Sequence, residues 1–251
     1  MSSLRICTYN IHKGFSQFNR RLSIHDLRDR LRVLGADVVF LQEVQGMHLR
    51  HAQSHADWPV QPQHEFLARD VWQQTAYGGN AIYDHGHHGN AILSRHPILS
   101  QANQDVSDHR FESRGLLHCE IRIASVDRPV HCVCVHLGLT AGSRRRQMAA
   151  LVKRLDELAP DGAPLIIAGD FNDWSNRAGE HLLHRLKLRE VFSGPTGNPA
   201  RSFPAAMPMF RLDRIYVRGF DVKRTQVHHG LPWSNISDHA ALSAYLARHG
   251  R

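Results

Sequence analysis

The chain alternates between short apolar runs, which end in Gly, Pro or polar residues, and segments in which apolar residues recur every three or four positions. Short apolar or alternating runs are typical of β-strands. They predict strands near residues 4–9, 37–42, 89–94, 116–123, 130–136, 164–169, 213–217 and 240–246. Residues 44–64, 77–89 and 193–211 follow neither period, and we expect them to form loops.

Two segments have the spacing of amphipathic helices. The first follows Ser23, a residue type that caps helices well, and ends at Gly35, which favours the left-handed conformation of a helix terminus; its apolar face holds Leu27, Leu31 and Leu34. The second is predicted to be capped by Ser143 and to end before Pro160; its apolar face holds Met148, Leu151, Leu155 and Leu158. A third, short helix is expected after residue 176, carrying Leu182, Leu183 and Leu186.

Strands outnumber helices in this pattern. The natural arrangement is therefore two packed sheets with helices on the outside. A length of 251 residues fits one large core or two small ones. The polar motifs described below are spread from residue 10 to residue 239 and must meet at one site, so we expect residues 1–251 to form a single domain.

The net charge of +8, counted with neutral histidines, favours an anionic partner, and it suits nucleic acid and an acidic lipid surface equally. No apolar run has the length of a signal peptide or approaches the ~20 residues of a membrane span, so the cytoplasm is the expected location. Four cysteines in predicted strands indicate reduced packing residues: Cys7, Cys119, Cys132 and Cys134.

The end of the strand at residues 164–169 carries the most informative chemistry. Asp170 and Asn172 follow it, and residues at i and i+2 of an extended segment point to the same side. A carboxylate placed there can deprotonate a water molecule, while the amide can donate to an oxygen that gains negative charge. Gly-Asp-x-Asn is equally a common turn signature, so a purely structural corner is an alternative at this point.

Other predicted strands also end in residues suited to phosphate or metal chemistry. Each residue alone is ordinary, because polar strand ends are normal and a single His or Glu is more often structural than catalytic. Their combination in one chain is unusual. The residues are Asn10, Glu43, His136, Asp213, Asp238 and His239.

In their order, these motifs resemble the endonuclease/exonuclease/phosphatase superfamily, which includes AP endonucleases, pancreatic-type deoxyribonucleases, neutral sphingomyelinases and inositol-polyphosphate phosphatases. The resemblance runs nearly end to end and implies a four-layer α/β/β/α sandwich with two packed, mainly antiparallel sheets. The matching segments are Thr8-Tyr9-Asn10, Leu41-Gln42-Glu43-Val44, the stretch at residues 89–95, Val135-His136-Leu137, Gly169-Asp170-Phe171-Asn172, Leu212-Asp213-Arg214-Ile215 and Ser237-Asp238-His239.

The resemblance also implies a metal site. Glu43 would be the principal ligand, and Asn10 and Asp238 would help to hold the ion or its waters. The expected cofactor is Mg²⁺, with Mn²⁺ as a substitute. This agrees with the residue types, because hard divalent cations choose carboxylate, carbonyl and water oxygens.

By the same resemblance, Asp170 would orient and deprotonate the attacking water, and Asn172 would stabilise the transition state. Asp213 would pair with His239, fixing its orientation and favouring its charged form. His136 stands where the deoxyribonuclease and sphingomyelinase branches carry a His, and it would either protonate the leaving oxygen or bind the phosphate.

Arg114 resembles a phosphate-contacting arginine of the family, and its planar fork can bind two phosphate oxygens at once. A solvated arginine at a strand start is an equal alternative. The expected phosphate-binding set is thus Arg114, Asn172 and His239. The cluster at residues 144–146 would either grip phosphates beside the cleaved bond or form a solvated helix turn. The histidines at 85, 87 and 88 lack the spacing of a zinc site.

The sequence therefore predicts a divalent-metal-dependent hydrolase of phosphodiester bonds. DNA is the leading substrate, and a phospholipid or a small phosphate ester is the alternative. A hypothesis from another class is a catalytically silent, anion-binding protein that keeps the fold. Loss of Glu43, Asp170 or His239 would have indicated it, and all three are present.

Overall fold

The computed structural model of the protein describes residues 3–109, 112–175, 179, 184–194 and 197–248. Its strands are β1 (Leu4–Asn10), β2 (Val38–His48), β3 (Gln74–Tyr83), β4 (Gly86–Ser94), β5 (Ile98–Asp105), β6 (Gly115–Ile121), β7 (Val130–His136), β8 (Leu165–Asp170), β9 (Arg189–Glu190), β10 (Asp213–Arg218), β11 (Phe220–His228) and β12 (Ala241–Arg248). Its α-helices in the described ranges are α1 (Ile24–Leu34), α2 (Leu49–Ser54), α3 (Gln63–Ala68) and α4 (Ala141–Leu158).

The strands form two six-stranded sheets, in the orders β11-β12-β1-β2-β4-β3 and β5-β6-β7-β8-β10-β9. Each sheet contains one parallel pair, β1 with β2 and β7 with β8, and the other paired strands run antiparallel. The carboxyl ends of the parallel pairs meet at one edge of the sandwich, because β1 packs against β8 and β2 against β7. We call this the catalytic edge, because the residues that the sequence predicts to be catalytic follow these strands.

Three apolar layers hold the sandwich together, because strand side chains alternate between the two faces of each sheet. The layer between the sheets contains Ile6, Phe40, Ile92, Cys132, Ile166 and Ile215. Outside the first sheet, Cys7, Val39 and Leu93 pack on α1 and α3 through Leu27, Leu31 and Phe66. Outside the second sheet, Val133 and Ile167 pack on α4 through Met148, Leu151 and Leu155. The predicted α/β/β/α sandwich is confirmed.

The first predicted helix is confirmed as α1, and Gly35 ends it with a φ of 64°. The hydroxyl of Ser23 donates to the Ile236 carbonyl, 2.7 Å away, and does not cap the helix. The predicted start of α4 was wrong, because Thr140 takes the capping position and accepts from the Ser143 amide. Leu182 and Leu183 of the third predicted helix lie outside the described residues.

Two of the predicted loops are wrong in part. Residues 44–54 continue β2 and form α2, whereas residues 55–62 connect α2 to α3 as a loop. Residues 77–89 form most of a hairpin of β3 and β4. This hairpin lacks alternation because much of it is solvated. It includes Gly86, where a Cβ atom would clash with the Met47 carbonyl. The edge strands β5 and β11 were also missed, because most of their residues are polar and partly exposed.

Candidate active site

Backbone register brings the predicted catalytic residues together at the catalytic edge. His136 at the end of β7 lies opposite Asp170 at the end of β8. Asp213 at the start of β10 lies opposite Asp170 on its other side. Asn10 ends β1, and His239 precedes β12, the antiparallel partner of β1. Residues that lie up to 229 positions apart in the sequence thus form one buried cluster.

An Asp–His pair forms one side of this cluster. The Nδ1 atom of His239 lies 2.8 Å from Oδ2 of Asp213, and its Nε2 atom lies 3.8 Å from Oδ2 of Asp170. Burial would lower the pKa of His239, but the two carboxylates together raise it well above the usual value. The geometry therefore favours the imidazolium form, as the sequence predicts.

Asp170 occupies the centre of the cluster and is buried. Its Oδ1 accepts from the backbone amide of Asn172 at 2.8 Å, and its Oδ2 accepts from the side-chain Nδ2 of Asn10 at 3.1 Å. Burial raises the pKa of Asp170, and the charge of His239 opposes this effect while that of Asp213 adds to it. A carboxylate whose pKa is raised towards neutrality is a better proton acceptor than an ordinary aspartate.

Glu43 lies in a separate acidic region on the β2 side. Its Oε1 is 3.4 Å from Nδ2 of Asn10, and its Oε2 is 3.8 Å from the Lys13 ammonium. Burial would raise the pKa of Glu43, but electrostatic interactions with the basic side chains around it, His136 and Lys13 among them, lower it to about 2. Asp238 has a comparable neighbour, since His12 Nδ1 lies 3.9 Å from its Oδ1.

The donor chemistry of this region fits a divalent cation of the magnesium type. It offers the carboxylates of Glu43 and Asp238, which are oxygen ligands. Asn10 turns its Nδ2 towards Glu43, and its Oδ1 accepts from the His12 backbone amide at 3.1 Å, so its side chain would have to rotate to supply an oxygen. Each of the two carboxylates lies within 4 Å of a basic side chain, Lys13 or His12. The backbone is held in an uncommon conformation here, with positive φ at His12 (45°), Lys13 (58°) and Glu43 (57°), as is typical of functional sites.

A second group of metal-binding residue types also converges. Among the residues that the structure describes, one set of three such side chains places its ligand atoms within 4.8 Å of one another: Asp170, Asp213 and His239. The hydrogen bond between Asp213 and His239 and the raised pKa of His239 explain this convergence without an ion. A protonated imidazole does not bind a metal.

Arg114 and Asn172 meet at the Leu137 carbonyl. The Arg114 Nε donates to it at 3.0 Å, and the Asn172 Nδ2 donates to it at 2.9 Å. His136 lies beside them, with Nε2 3.7 Å from Oδ2 of Asp170. Burial and the nearby Arg114 charge lower the pKa of His136 well below its usual value, so this imidazole is neutral near pH 7.

The structure reveals two supporting contacts that sequence reasoning missed. Asp173 and Arg214, the residues that follow Asn172 and Asp213, form a buried ion pair with 3.6 Å between Oδ2 and Nη2. Phe203 packs its ring on His239, with 5.0 Å between centroids. Adjacency to a motif residue was the one available signal for the ion pair, and nothing in the sequence identifies which distant residue is the partner.

Other candidates have structural roles. Arg144 donates to the Gly138 and Leu139 carbonyls and Arg146 pairs with Asp108, which argues against the phosphate-gripping alternative for both. His87 hydrogen-bonds the Tyr77 hydroxyl. All four cysteines are free and buried, as predicted. No helix among the described residues is long and apolar enough to cross a membrane.

A two-sheet sandwich with buried carboxylates, an Asp–His pair and amide donors at one edge defines a class of phosphoester hydrolases. The chain belongs to the Endonuclease/Exonuclease/phosphatase family, whose sequence model matches residues 7–239. The family consists of metal-dependent hydrolases that act on phosphoester bonds. The superfamily suggested by the sequence motifs is thereby confirmed.

Relatives and solved structures extend this similarity. The uncharacterized protein YbhP of Escherichia coli K12 is 46% identical over 97% of this chain and 96% of its own length. An endonuclease/exonuclease/phosphatase from Beutenbergia cavernae superposes with a TM-score of 0.77, at 19% identity over 100% of this chain and 72% of its own. The human Nocturnin catalytic domain, with bound sulfate, superposes with a TM-score of 0.72, at 17% identity over 98% and 95%.

Proposed function

We propose that this protein hydrolyses phosphodiester bonds with a water molecule activated by Asp170. The observation that carries the proposal is the environment of this carboxylate. Asp170 is buried and is oriented by hydrogen bonds from Asn10 and Asn172. It also lies 3.8 Å from the His239 imidazolium, whose positive charge stabilises the carboxylate. Asp170 can therefore accept a proton from water while His239 supplies positive charge beside the phosphate.

The surrounding residues have complementary roles in this proposal. Asp213 holds His239 in the orientation and charge state that bind an anionic oxygen. Arg114 and Asn172 donate to other phosphate oxygens, supported by their shared contact with the Leu137 carbonyl. His136 Nε2 lies 3.7 Å from Oδ2 of Asp170, a position from which it would either bind the phosphate or protonate the leaving oxygen.

Glu43, Asn10 and Asp238 are proposed to hold Mg²⁺, for which Mn²⁺ can substitute. When bound, the ion supplies Lewis-acid stabilisation of charge that develops on the phosphate oxygens. The low pKa of Glu43 keeps this carboxylate ionised over the whole physiological range, so it is available as a ligand without losing a proton.

DNA is the first candidate substrate. The two segments that flank the site at residues 11–23 and 197–212 contain five Lys or Arg residues and no Asp or Glu, which suits a polyanion. The test is magnesium-dependent nicking of supercoiled plasmid. Asp170→Asn should abolish nicking, whereas Asp156→Asn, at an exposed carboxylate on α4, should leave it intact. Nicking that persists in Asp170→Asn would contradict the assigned base.

The second candidate is a phospholipid or a small phosphate ester. A specific observation favours it, because large apolar side chains are exposed around the site. Hydrolysis of such esters without plasmid nicking would identify this class. Anion binding without hydrolysis of any ester would instead indicate the catalytically silent alternative.

A further inference from the structure

Exposed apolar side chains are concentrated at the catalytic edge. Fourteen large hydrophobic side chains are exposed among the described residues, and nine of them form two groups on either side of that edge. Scattered single exposures are normal on a soluble protein. Exposed apolar side chains grouped around one site are unusual, and they indicate that the site contacts an apolar surface.

The first concentration lies at the tip of the β3–β4 hairpin. We call it the hairpin patch, and it consists of Met47, Leu49, Ile82 and Tyr83. Met47 on β2 and Ile82 on β3 both lie opposite His87 of the intervening β4, which places them two strand spacings, about 10 Å, apart. Met47 follows Glu43 by four residues, which carries it at most about 13 Å beyond Glu43. Ile82 is 82% exposed.

The second concentration lies on the opposite side of the site. We call it the loop patch, and it consists of Trp174, Met207, Met209, Phe210 and Leu231. Its backbone is ordered, because Phe203 and Phe210 exchange hydrogen bonds of 2.8 and 3.2 Å, and Ala205 is bonded to the Asp238 carbonyl and the Gly230 amide. Trp174 packs edge-on against Phe210. Met207 and Met209 therefore lie in a turn whose backbone is fixed by hydrogen bonds.

The two patches flank the catalytic residues. The hairpin patch is attached to β3 and β4, at one end of the first sheet. The loop patch precedes β10 and β12, which contact each other towards the other end of the sandwich. Asn10 and Asp170, on β1 and β8, lie between them. Contact of both patches with one continuous surface would place the mouth of the site against that surface.

From this arrangement we propose that the catalytic edge docks on an anionic phospholipid bilayer and that the substrate is a phosphodiester in a lipid headgroup. This inference rests on the proposed phosphodiesterase function and selects its substrate class. Of the five cations at residues 11–23 and 197–212, Lys13 pairs with Glu43 and Arg21 with Asp26, and Arg20, Arg201 and Arg211 complement anionic headgroups. Trp and Tyr, present in the two patches, suit the interface between headgroups and acyl chains.

The aliphatic members of the patches favour lipid over DNA. The side chains of Met47, Leu49, Ile82, Met207 and Leu231 gain free energy when they leave water for an acyl environment. A sugar-phosphate backbone offers them no comparable burial, since most contacts to it come from charged and polar groups. Charge alone suits both partners, so the apolar residues decide between them.

The test is flotation of the purified protein with phosphatidylcholine vesicles and with vesicles that also contain phosphatidylglycerol. The mixed vesicles should bind the protein more tightly, and binding should weaken at high salt. Ile82→Ser/Met207→Ser should lower the partition coefficient about a hundredfold, since each buried aliphatic side chain contributes roughly a factor of ten. The matched control, Val33→Ser/Leu99→Ser, removes two exposed apolar side chains away from the edge and should change it by less than about twofold.

Three results would overturn the docking proposal. They are no binding to the mixed vesicles, an equal loss in the control, or plasmid DNA binding that the Ile82→Ser/Met207→Ser change weakens as much as vesicle binding. Asp170→Asn should bind vesicles like the unaltered protein. Hydrolysis of the soluble diester bis(p-nitrophenyl) phosphate without vesicle binding would refute docking alone. Vesicle binding without hydrolysis of that diester or of lipid would support docking and refute the proposed chemistry.

Discussion

Replacement of Arg214 by Met should destabilise the protein strongly. Arg214 and Asp173 are 1% and 2% exposed, with 3.6 Å between their charged groups. Arg214 also donates to the Asp213 carbonyl at 3.1 Å. It therefore joins the chain segment that carries Asn172 to the segment that carries Asp213. The substitution keeps much of the side-chain volume but removes the positive charge beside the buried Asp173 carboxylate, which also accepts from the Ser175 hydroxyl at 3.1 Å.

The magnitude follows from burial. Removal of one partner from a buried ion pair typically costs about 3–5 kcal/mol, because the remaining charge loses its compensation without regaining water. In a chain of this size, each kcal/mol lowers the melting temperature by roughly 2–4 °C, so we expect a decrease on the order of 10 °C. An exposed pair contributes only about 0–1 kcal/mol.

Urea unfolding followed by tryptophan fluorescence measures this difference, since the chain contains four Trp residues. The matched control is Arg185→Met, the same substitution at an arginine that is 63% exposed and lies 3.4 Å from Asp156. It should lower the free energy of unfolding by less than about 1 kcal/mol. Equal losses in the two variants would refute the argument that the buried pair joins the two catalytic segments.

Three further predictions concern the site and the pH dependence of stability. Glu43→Gln should raise the Mg²⁺ concentration for half-maximal activity at least about tenfold, in a metal titration of turnover. Asp213→Asn should lower kcat by about 10²–10³, because His239 loses the partner that holds its charge and orientation; steady-state kinetics measures this. Burial and the neighbouring His131 lower the pKa of His118 to about 4, so its contribution to stability is lost as pH falls from about 6.5 to 4, by up to ~3 kcal/mol. His118→Gln should flatten that decline in urea unfolding at pH 7 and 4.5.

Each of these expectations has a contradicting outcome. Unchanged magnesium dependence in the Glu43 variant would remove this residue from the metal site. Turnover of Asp213→Asn within about threefold of the unaltered protein would show that the Asp–His pair is structural. A decline of stability in acid that is as steep in the His118 variant as in the unaltered protein would place the acid sensitivity elsewhere.

Local pattern predicted the central strands and α1 because those elements are buried on regular faces. The strands β1, β2, β7 and β8 bury nearly all of their residues, and α1 buries Leu27 and Leu31 on one side. The β3–β4 hairpin and the edge strands escaped prediction because solvent reaches much of their surface. Thr140 and Ser143 lie one helical turn apart, and the sequence does not show which of them caps α4.

The sequence proposed members for the candidate site but could not show their arrangement. Motif residues at strand ends identified Asp170, Asp213 and His239, and backbone register then brought these side chains together. The partnership of Asp173 with Arg214 depends on tertiary packing and has no local signature. The two apolar patches are likewise invisible in the sequence, because an exposed Met or Ile differs from a buried one only through the fold.

The most direct test of the central claim is hydrolysis of bis(p-nitrophenyl) phosphate by the purified protein with added Mg²⁺, compared with Asp170→Asn and with a sample held in EDTA. Release of nitrophenol that requires both the metal and Asp170 is the predicted result. No hydrolysis by the unaltered protein, or equal hydrolysis by Asp170→Asn, would contradict water activation by this carboxylate.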